Sequence, residues 1–264
     1  MGILNVTPDS FSDGGQYANI RRAVDRALEM AEHGADIIDV GGESTRPGAE
    51  KVSEADELDR VVPVIKKLSD RLDIPISVDT YKSRVAERAL EAGAKIVNDI
   101  SGLRFDKKMA QVVASKGAGV VLMHIKGEPR NMQQNPYYDD VMNEIVQYLD
   151  ESKKIALKGG ISNRQIVIDP GIGFGKRLQD NFTIIRELHK LFVLSNPILV
   201  GPSRKSFIGQ VLELPVSERL EGTAAAVALS IQNGAQIVRV HDVKEIKRVV
   251  KITDAILKNA ERWD

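Results

Sequence analysis

At 264 residues, 42% hydrophobic and 28% charged, the chain has the composition of a globular protein and the length of one α/β barrel or two small domains. Its 37 Lys and Arg balance 37 Asp and Glu, so net charge gives no reason to expect nucleic acid or an anionic membrane as a partner. Cysteine is absent, which excludes disulfide and thiol chemistry and fits a reducing compartment. No run of about 18 apolar residues predicts a membrane span, and residues 1–20 lack the pattern of a signal peptide. A cytoplasmic protein is expected.

Gly2 to Asn5 reads as the end of a strand, and Val6 to Tyr17 as a polar loop. Ile20 to His33 is predicted helical, because Ile20, Val24, Ala27, Leu28 and Ala31 share one face and Gly34 follows as a stop. Ala35 to Gly42 is the second strand, and Glu43 to Gly48 its loop. Ser53 with Asp56 resembles a capping box opening a helix to about Leu72. Strand three is Pro75 to Thr80, followed by a helix over Lys82 to Ala92. Strand four is Lys95 to Asp99, with a helix over about Asp106–Lys116. Strand five is Gly119 to His124. The polar loop Gly127 to Tyr138 then leads to a helix over about Asp139–Lys158.

Ile166-Val167-Ile168-Asp169 is a short β-branched run that ends in a carboxylate. It reads as strand six, buried on both faces. Pro170 cannot extend a central strand, and Gly171, Gly173 and Gly175 let the backbone turn sharply. The run fits neither a dinucleotide-binding fingerprint nor a P-loop, since Lys176 stands where the third glycine would fall and Arg177 where Ser or Thr is needed. A helix over Gln179–Leu191 precedes strand seven, Pro197 to Gly201, and Pro202 to Gly209 is its loop. A helix with an Ala-rich core at Ala224–Leu229 ends at Gly234. Gln236 to His241 is strand eight, and the last helix runs from Val243 to about Ala260.

Eight strands alternating with helices, without a linker, predict one domain over residues 1–264, folded as a single (β/α)8 TIM barrel. The carboxyl ends of its strands carry Asn5, Asp39, Asp79, Asn98, His124, Asp169, Ser203-Arg204-Lys205, Arg239 and His241. Barrel active sites are built at that end. Asp79, Asn98 and Asp169 suit the planar donor edge of an amidine-like heterocycle. Arg46, Arg204, Lys205, Arg239 and His241 suit a diphosphate or another anion. Lys205 also fits the Schiff-base lysine of a barrel aldolase. His124 fits packing and site roles equally.

Seven stretches resemble the dihydropteroate synthase family, in order along the whole chain. They are Met1–Gly15, Asp39–Gly48, Ser77–Lys82, Asn98–Gly102, Asp169–Lys176, Gly201–Ser206 and Arg239–Asp242. The resemblance implies condensation of 6-hydroxymethyl-7,8-dihydropterin diphosphate with 4-aminobenzoate; the family is the target of sulfonamides, which mimic aminobenzoate. It implies that Asp79, Asn98 and Asp169 hold the pterin ring, that Lys205 reaches its carbonyl and that Met123 packs beneath it. Thr45, Arg46, Arg239 and His241 would take the diphosphate, with Asn5 on Mg²⁺. Phe174, Pro47, Ser203 and the backbone near Arg204 would shape the aminobenzoate pocket. The loops Val6–Tyr17 and Glu43–Gly48 would close as lids.

The chemistry implied is a dissociative substitution. Asp79 and Asp169 favour a cationic methylene, and Lys205, Arg239 and His241 complete the catalytic set. Two other functions fit a pterin-binding barrel. A methyltetrahydrofolate:corrinoid methyltransferase binds no diphosphate, and Ser203-Arg204-Lys205 and Arg239-Val240-His241 argue against it. A non-catalytic pterin-binding protein would bind without turnover. Ala224–Leu229 is apolar nearly all round, which fits a homodimer seam. Family members usually carry residues ahead of the stretch that matches Met1, so a short first strand and a weakly closed barrel bottom are expected.

Overall fold

The computed structural model describes residues 1–7 and 15–257, with the backbone alone at 15–18. The strands are β1 (Gly2–Asn5), β2 (Ile38–Gly41), β3 (Ile76–Asp79), β4 (Ile96–Asp99), β5 (Gly119–Met123), β6 (Ile166–Asp169), β7 (Leu199–Val200) and β8 (Ile237–Val238). The helices are α1 (Gly15–Glu32), α2 (Glu54–Ser69), α3 (Ser83–Glu91), α4 (Met109–Ser115), α5 (Val141–Lys158), α6 (Leu178–Arg186), α7 (Ser206–Leu212), α8 (Leu220–Gln232) and α9 (Val243–Leu257).

β1 to β6 pair in parallel and in sequence, and β7 pairs with β8. Bridges between Ile168 and Ile198 and between Gly2 and Val240 join the two sheets at both seams, which closes a (β/α)8 barrel. The short first strand therefore closes the ring after all. The Ile3 amide donates to Val240 O at 2.9 Å, and the Val240 amide to Met1 O at 3.0 Å.

Period-two alternation divides the strand residues. Met1, Ile37, Ile96, Val121, Val167, Leu199 and Ile237 pack together inside the barrel. Ile38, Val40, Ile76, Val78, Leu122, Ile166 and Ile168 belong to the core that the helices cover. Two positions beyond Ile37 and Val167, the same inward alternation delivers Asp39 and Asp169. The chemistry thus rests on a packed apolar plug.

Ser53 caps α2 as expected, accepting from the Asp56 amide at 3.1 Å, and its hydroxyl donates to the Asp56 carboxylate at 2.6 Å. Three expectations are corrected. α1 starts at Gly15 rather than Ile20, and the rest of the Val6–Tyr17 lid, residues 8–14, lies outside the described residues. The helix expected over Gln179–Leu191 ends at Arg186 and continues as a 3₁₀ segment over Leu188–Leu194. Leu188, Leu191 and Leu194 are its buried residues; a spacing of three matches three residues per turn. Ser206–Leu212, partly read as loop, is helix α7, whose two turns bury Phe207 and Ile208.

Candidate active site

A cleft of about 340 Å³ opens at the carboxyl ends of the strands. Thr45, Asp79, Asn98, Met123, Asp169, Phe174, Lys205 and Arg239 all line it. Eight residues expected to act together therefore share one cavity. Gly171, expected as a turn residue, and Ile100, Ile172 and Gly201, given no site role by the sequence, complete the lining. A larger cavity, about 710 Å³, lies by Met1, Ile37, Ile237 and Val250 at the opposite end. Its walls are mostly apolar, and its Asp36 and Lys247 are paired with each other at 3.0 Å. The smaller cleft is the one with chemistry.

Arg239 stands at the centre of the cleft's charge. Its Nε donates to Asp39 Oδ2 at 2.6 Å and its Nη2 to Asp79 Oδ2 at 2.7 Å. Asn98 Nδ2 also donates to Asp39 Oδ2, at 3.0 Å. Burial pushes the Asp79 carboxyl up to about 7, against the pull of Arg239. Asp39 is fully buried and ties Arg239 and Asn98 together, a role absent from the sequence reading.

Asp169 is held by the turn that follows it. The Gly171 amide donates to Asp169 Oδ1 at 2.7 Å, and burial raises the carboxyl above its ordinary value. At Gly171 φ is +69°, and a Cβ there would lie 1.9 Å from the His124 carbonyl oxygen. At Gly173 φ is +78°, and a Cβ would meet the Lys205 stem at 2.8 Å. Both positions demand glycine for conformation and for space. Lys205 Nζ donates to Ile172 O at 2.5 Å and lies 4.1 Å from the centre of the Phe174 ring. Burial pulls Lys205 down to about 8, with Asp169 opposing.

Lys176 is buried beneath this turn. Its Nζ donates to Phe174 O at 2.9 Å and to Gly171 O at 3.1 Å, and lies 2.9 Å from His124 Nδ1. Three ammonium donors thus meet three acceptors, although burial pulls Lys176 down to about 7. His124 is buried against Tyr148, ring centres 4.7 Å apart, and burial pushes its pKa well below the usual value. It packs and accepts from Lys176. The floor is apolar: Ile100, Met123, Ile125 and Met132, with Tyr81 and Phe174 against them.

On the rim, the His241 amide donates to Ser203 Oγ at 3.2 Å, and that oxygen lies 2.9 Å from His241 Nδ1. The hydroxyl and Nδ1 thus share one hydrogen bond. Burial foremost, then the charge of Arg239, pulls His241 down to about 4, so it is neutral at pH 7. The ring, expected as part of the anion wall, is thus uncharged rather than a cation. Arg204 leaves that wall. Its Nε donates to Asp242 Oδ2 at 2.9 Å and its Nη2 to Oδ1, and the backbone there is left-handed, φ +56°. Arg46 and Pro47 are exposed, outside the lining of the cleft.

Asn5 ends β1 beside Gly41. A Cβ on Gly41 would lie 3.8 Å from Asn5 Oδ1 and 3.6 Å from Asp79 Oδ2. Both oxygens thus flank the bare backbone of Gly41. Among the described residues no group of three His, Cys, Asp or Glu side chains could hold a metal ion.

The family described as pterin binding enzyme matches residues 1–241. The dihydropteroate synthase of Bacillus subtilis is 52% identical over 257 residues, covering 97% of this chain and 88% of that protein. That of Escherichia coli is 45% identical over 261 residues, covering 99% and 92%. The crystal structure of the Clostridium difficile dihydropteroate synthase, obtained in the presence of pteroic acid, has a TM-score of 0.93 at 50% identity and covers 98% of this chain and 96% of that one. The Xanthomonas albilineans dihydropteroate synthase with 4-aminobenzoic acid has a TM-score of 0.92 at 43% identity, covering 98% and 93%.

Proposed function

The chain belongs to the dihydropteroate synthases, a family of pterin-binding enzymes, and from that premise we propose what its individual residues do. It is a transferase of folate biosynthesis and a sulfonamide target. It joins 6-hydroxymethyl-7,8-dihydropterin diphosphate to 4-aminobenzoate, giving 7,8-dihydropteroate and pyrophosphate. The observation that carries the residue roles is the convergence of Asp79, Asn98, Asp169, Lys205 and Arg239 on one cleft above Met123.

The pterin ring lies on Met123, with its amidine edge on Asp169 and its other polar edge on Asp79 and Asn98. Lys205 donates to its carbonyl. The diphosphate faces Thr45, Arg46, Arg239 and the neutral ring of His241. Arg239 offers five donors, and its bonds to Asp39 and Asp79 use two of them. Phe174, Pro47, Ser203 and the backbone at Arg204 bound the aminobenzoate, and the Glu43–Gly48 loop closes over it.

The carbon–oxygen bond to the diphosphate breaks first, its electron pair leaving with pyrophosphate. Asp79 and Asp169 favour the positive charge left on the ring methylene, and Arg46 and Arg239 favour the charge on the departing group. The arylamine lone pair then forms the carbon–nitrogen bond, and one nitrogen proton is released. Asn5 would hold Mg²⁺ at the diphosphate end of the cleft. When bound, Mg²⁺ supplies charge neutralisation to the leaving group.

Incubation with both substrates and Mg²⁺ is expected to yield pyrophosphate and dihydropteroate in equal amounts, and chelation is expected to stop both. Pterin binding without turnover would leave only a binding protein. Full turnover in chelator would remove the Asn5 assignment.

The chain pairs with a second copy along α8 and α9. Leu229 on α8 is 50% exposed, and Ile252 and Ile256 on α9 are 60% and 72% exposed. These two helices pack together and present an apolar strip that a copy would cover. Sedimentation equilibrium should give twice the chain mass; a single-chain mass at micromolar concentration would reject the pairing.

A further inference from the structure

The loop between β2 and α2 carries Thr45, Arg46 and Pro47, yet Arg46 to Gly48 are exposed to solvent. A loop of this kind gives useful geometry only if its ends are held, since ordering a free segment costs conformational entropy. Lys82, the residue that precedes α3, holds both ends. Its Nζ donates to Glu43 Oε2 at the start of the loop and to Val52 O at its end, 2.7 Å. A third bond reaches Glu57 Oε2 on α2, at 2.5 Å.

Glu43 and Glu57 are nearly fully buried. Two buried carboxylates around one ammonium are a poor device for stability, and burial already pushes Glu57 above its usual value. Position is the better account of the cluster. The neighbouring Tyr81 strengthens it: its hydroxyl donates to Glu43 Oε1 at 2.7 Å, and its ring packs on the apolar floor of the cleft. The base of the loop, the end of β3 with Asp79, and the floor beneath the pterin are therefore one unit. The tip is lightly held. Gly48 N donates to Pro129 O at 3.2 Å, and Lys51 pairs with Glu128 in solvent at 2.9 Å. An exposed pair of that kind breaks at little cost.

We propose that Lys82, between Glu43 and Glu57, is a positioning residue that fixes the base of the 43–52 loop so that Thr45, Arg46 and Pro47 meet the diphosphate and the aminobenzoate. This rests on the substrate assignment given above. The test compares Glu43→Gln, Tyr81→Phe and Lys82→Met with the parent chain. It measures kcat and KM for both substrates, and the calorimetric Kd of 6-hydroxymethylpterin, which lacks the diphosphate. Misplacing the loop should lower kcat/KM on the order of 10- to 100-fold in Glu43→Gln and Lys82→Met, and less in Tyr81→Phe, with pterin Kd within about twofold of the parent. Unchanged kinetics in a folded Glu43→Gln chain would overturn the proposal, as would an equal loss of pterin affinity. A Lys82→Met chain that fails to fold leaves the decision to Glu43→Gln. A parent chain that makes no dihydropteroate would instead defeat the functional reading itself.

Discussion

Asp169→Asn is expected to abolish useful pterin binding while leaving the fold intact. The carboxylate is buried, one oxygen is taken by the Gly171 amide, and the other is left for the ring. Losing one partner of a buried charge-assisted pair costs roughly 3–5 kcal/mol, or more than about two decades of affinity. The stability side has the opposite sign. Burial holds the folded carboxyl above its ordinary value. Its contribution to stability is thus complete below the unfolded pKa, near 4, and is lost as pH rises through the folded one. Asn carries no charge to desolvate, so the variant should melt at or above the parent temperature at neutral pH and lose that slope. Lys205, which Asp169 holds up, should fall further. Calorimetry showing an unchanged pterin Kd would refute the assignment. A large drop in melting temperature with it would show that Asp169 serves the fold instead.

Arg239→Ala should strike both stability and chemistry. Its guanidinium joins Asp39 on β2 to Asp79 on β3, and removing it strands two buried carboxylates. The expected loss is about 3–5 kcal/mol near pH 8. The sign again follows the carboxyls. Asp79 is already pushed up to about 7 with Arg239 present, and rises further without it, while its unfolded value stays near 4. The penalty is therefore largest above pH 7 and shrinks as acid neutralises Asp79. Urea unfolding at pH 8 and pH 5 should show a clear destabilisation at the first and a smaller one at the second. Superimposable curves at pH 8 would reject the ion-pair account. In binding, the diphosphate substrate should weaken more than a pterin lacking phosphates; equal weakening would remove Arg239 from the phosphate site.

The barrel and most of the cleft were legible in the residues. The end of a buried strand is marked locally, by a switch from β-branched residues to Gly, Asp or Asn, as in Val78-Asp79, Val97-Asn98 and Ile168-Asp169. Eight strands alternating with helices leave few topologies, and closure places their ends around one mouth. The 3₁₀ segment also has a local mark, the spacing of three between Leu188, Leu191 and Leu194.

What the chain alone decided was which side chains reach the mouth of the barrel, because strand period and loop chemistry are properties of neighbours in sequence. What only the tertiary structure decided was how those side chains pair. Arg239 finds Asp39 and Asp79 from 200 and 160 residues away. Arg204 is drawn off to Asp242, Lys176 sinks beneath the turn it ends, and His241 sits neutral. Coulomb and desolvation energies depend on distance through space and on depth from solvent, and neither is set by adjacency along a chain.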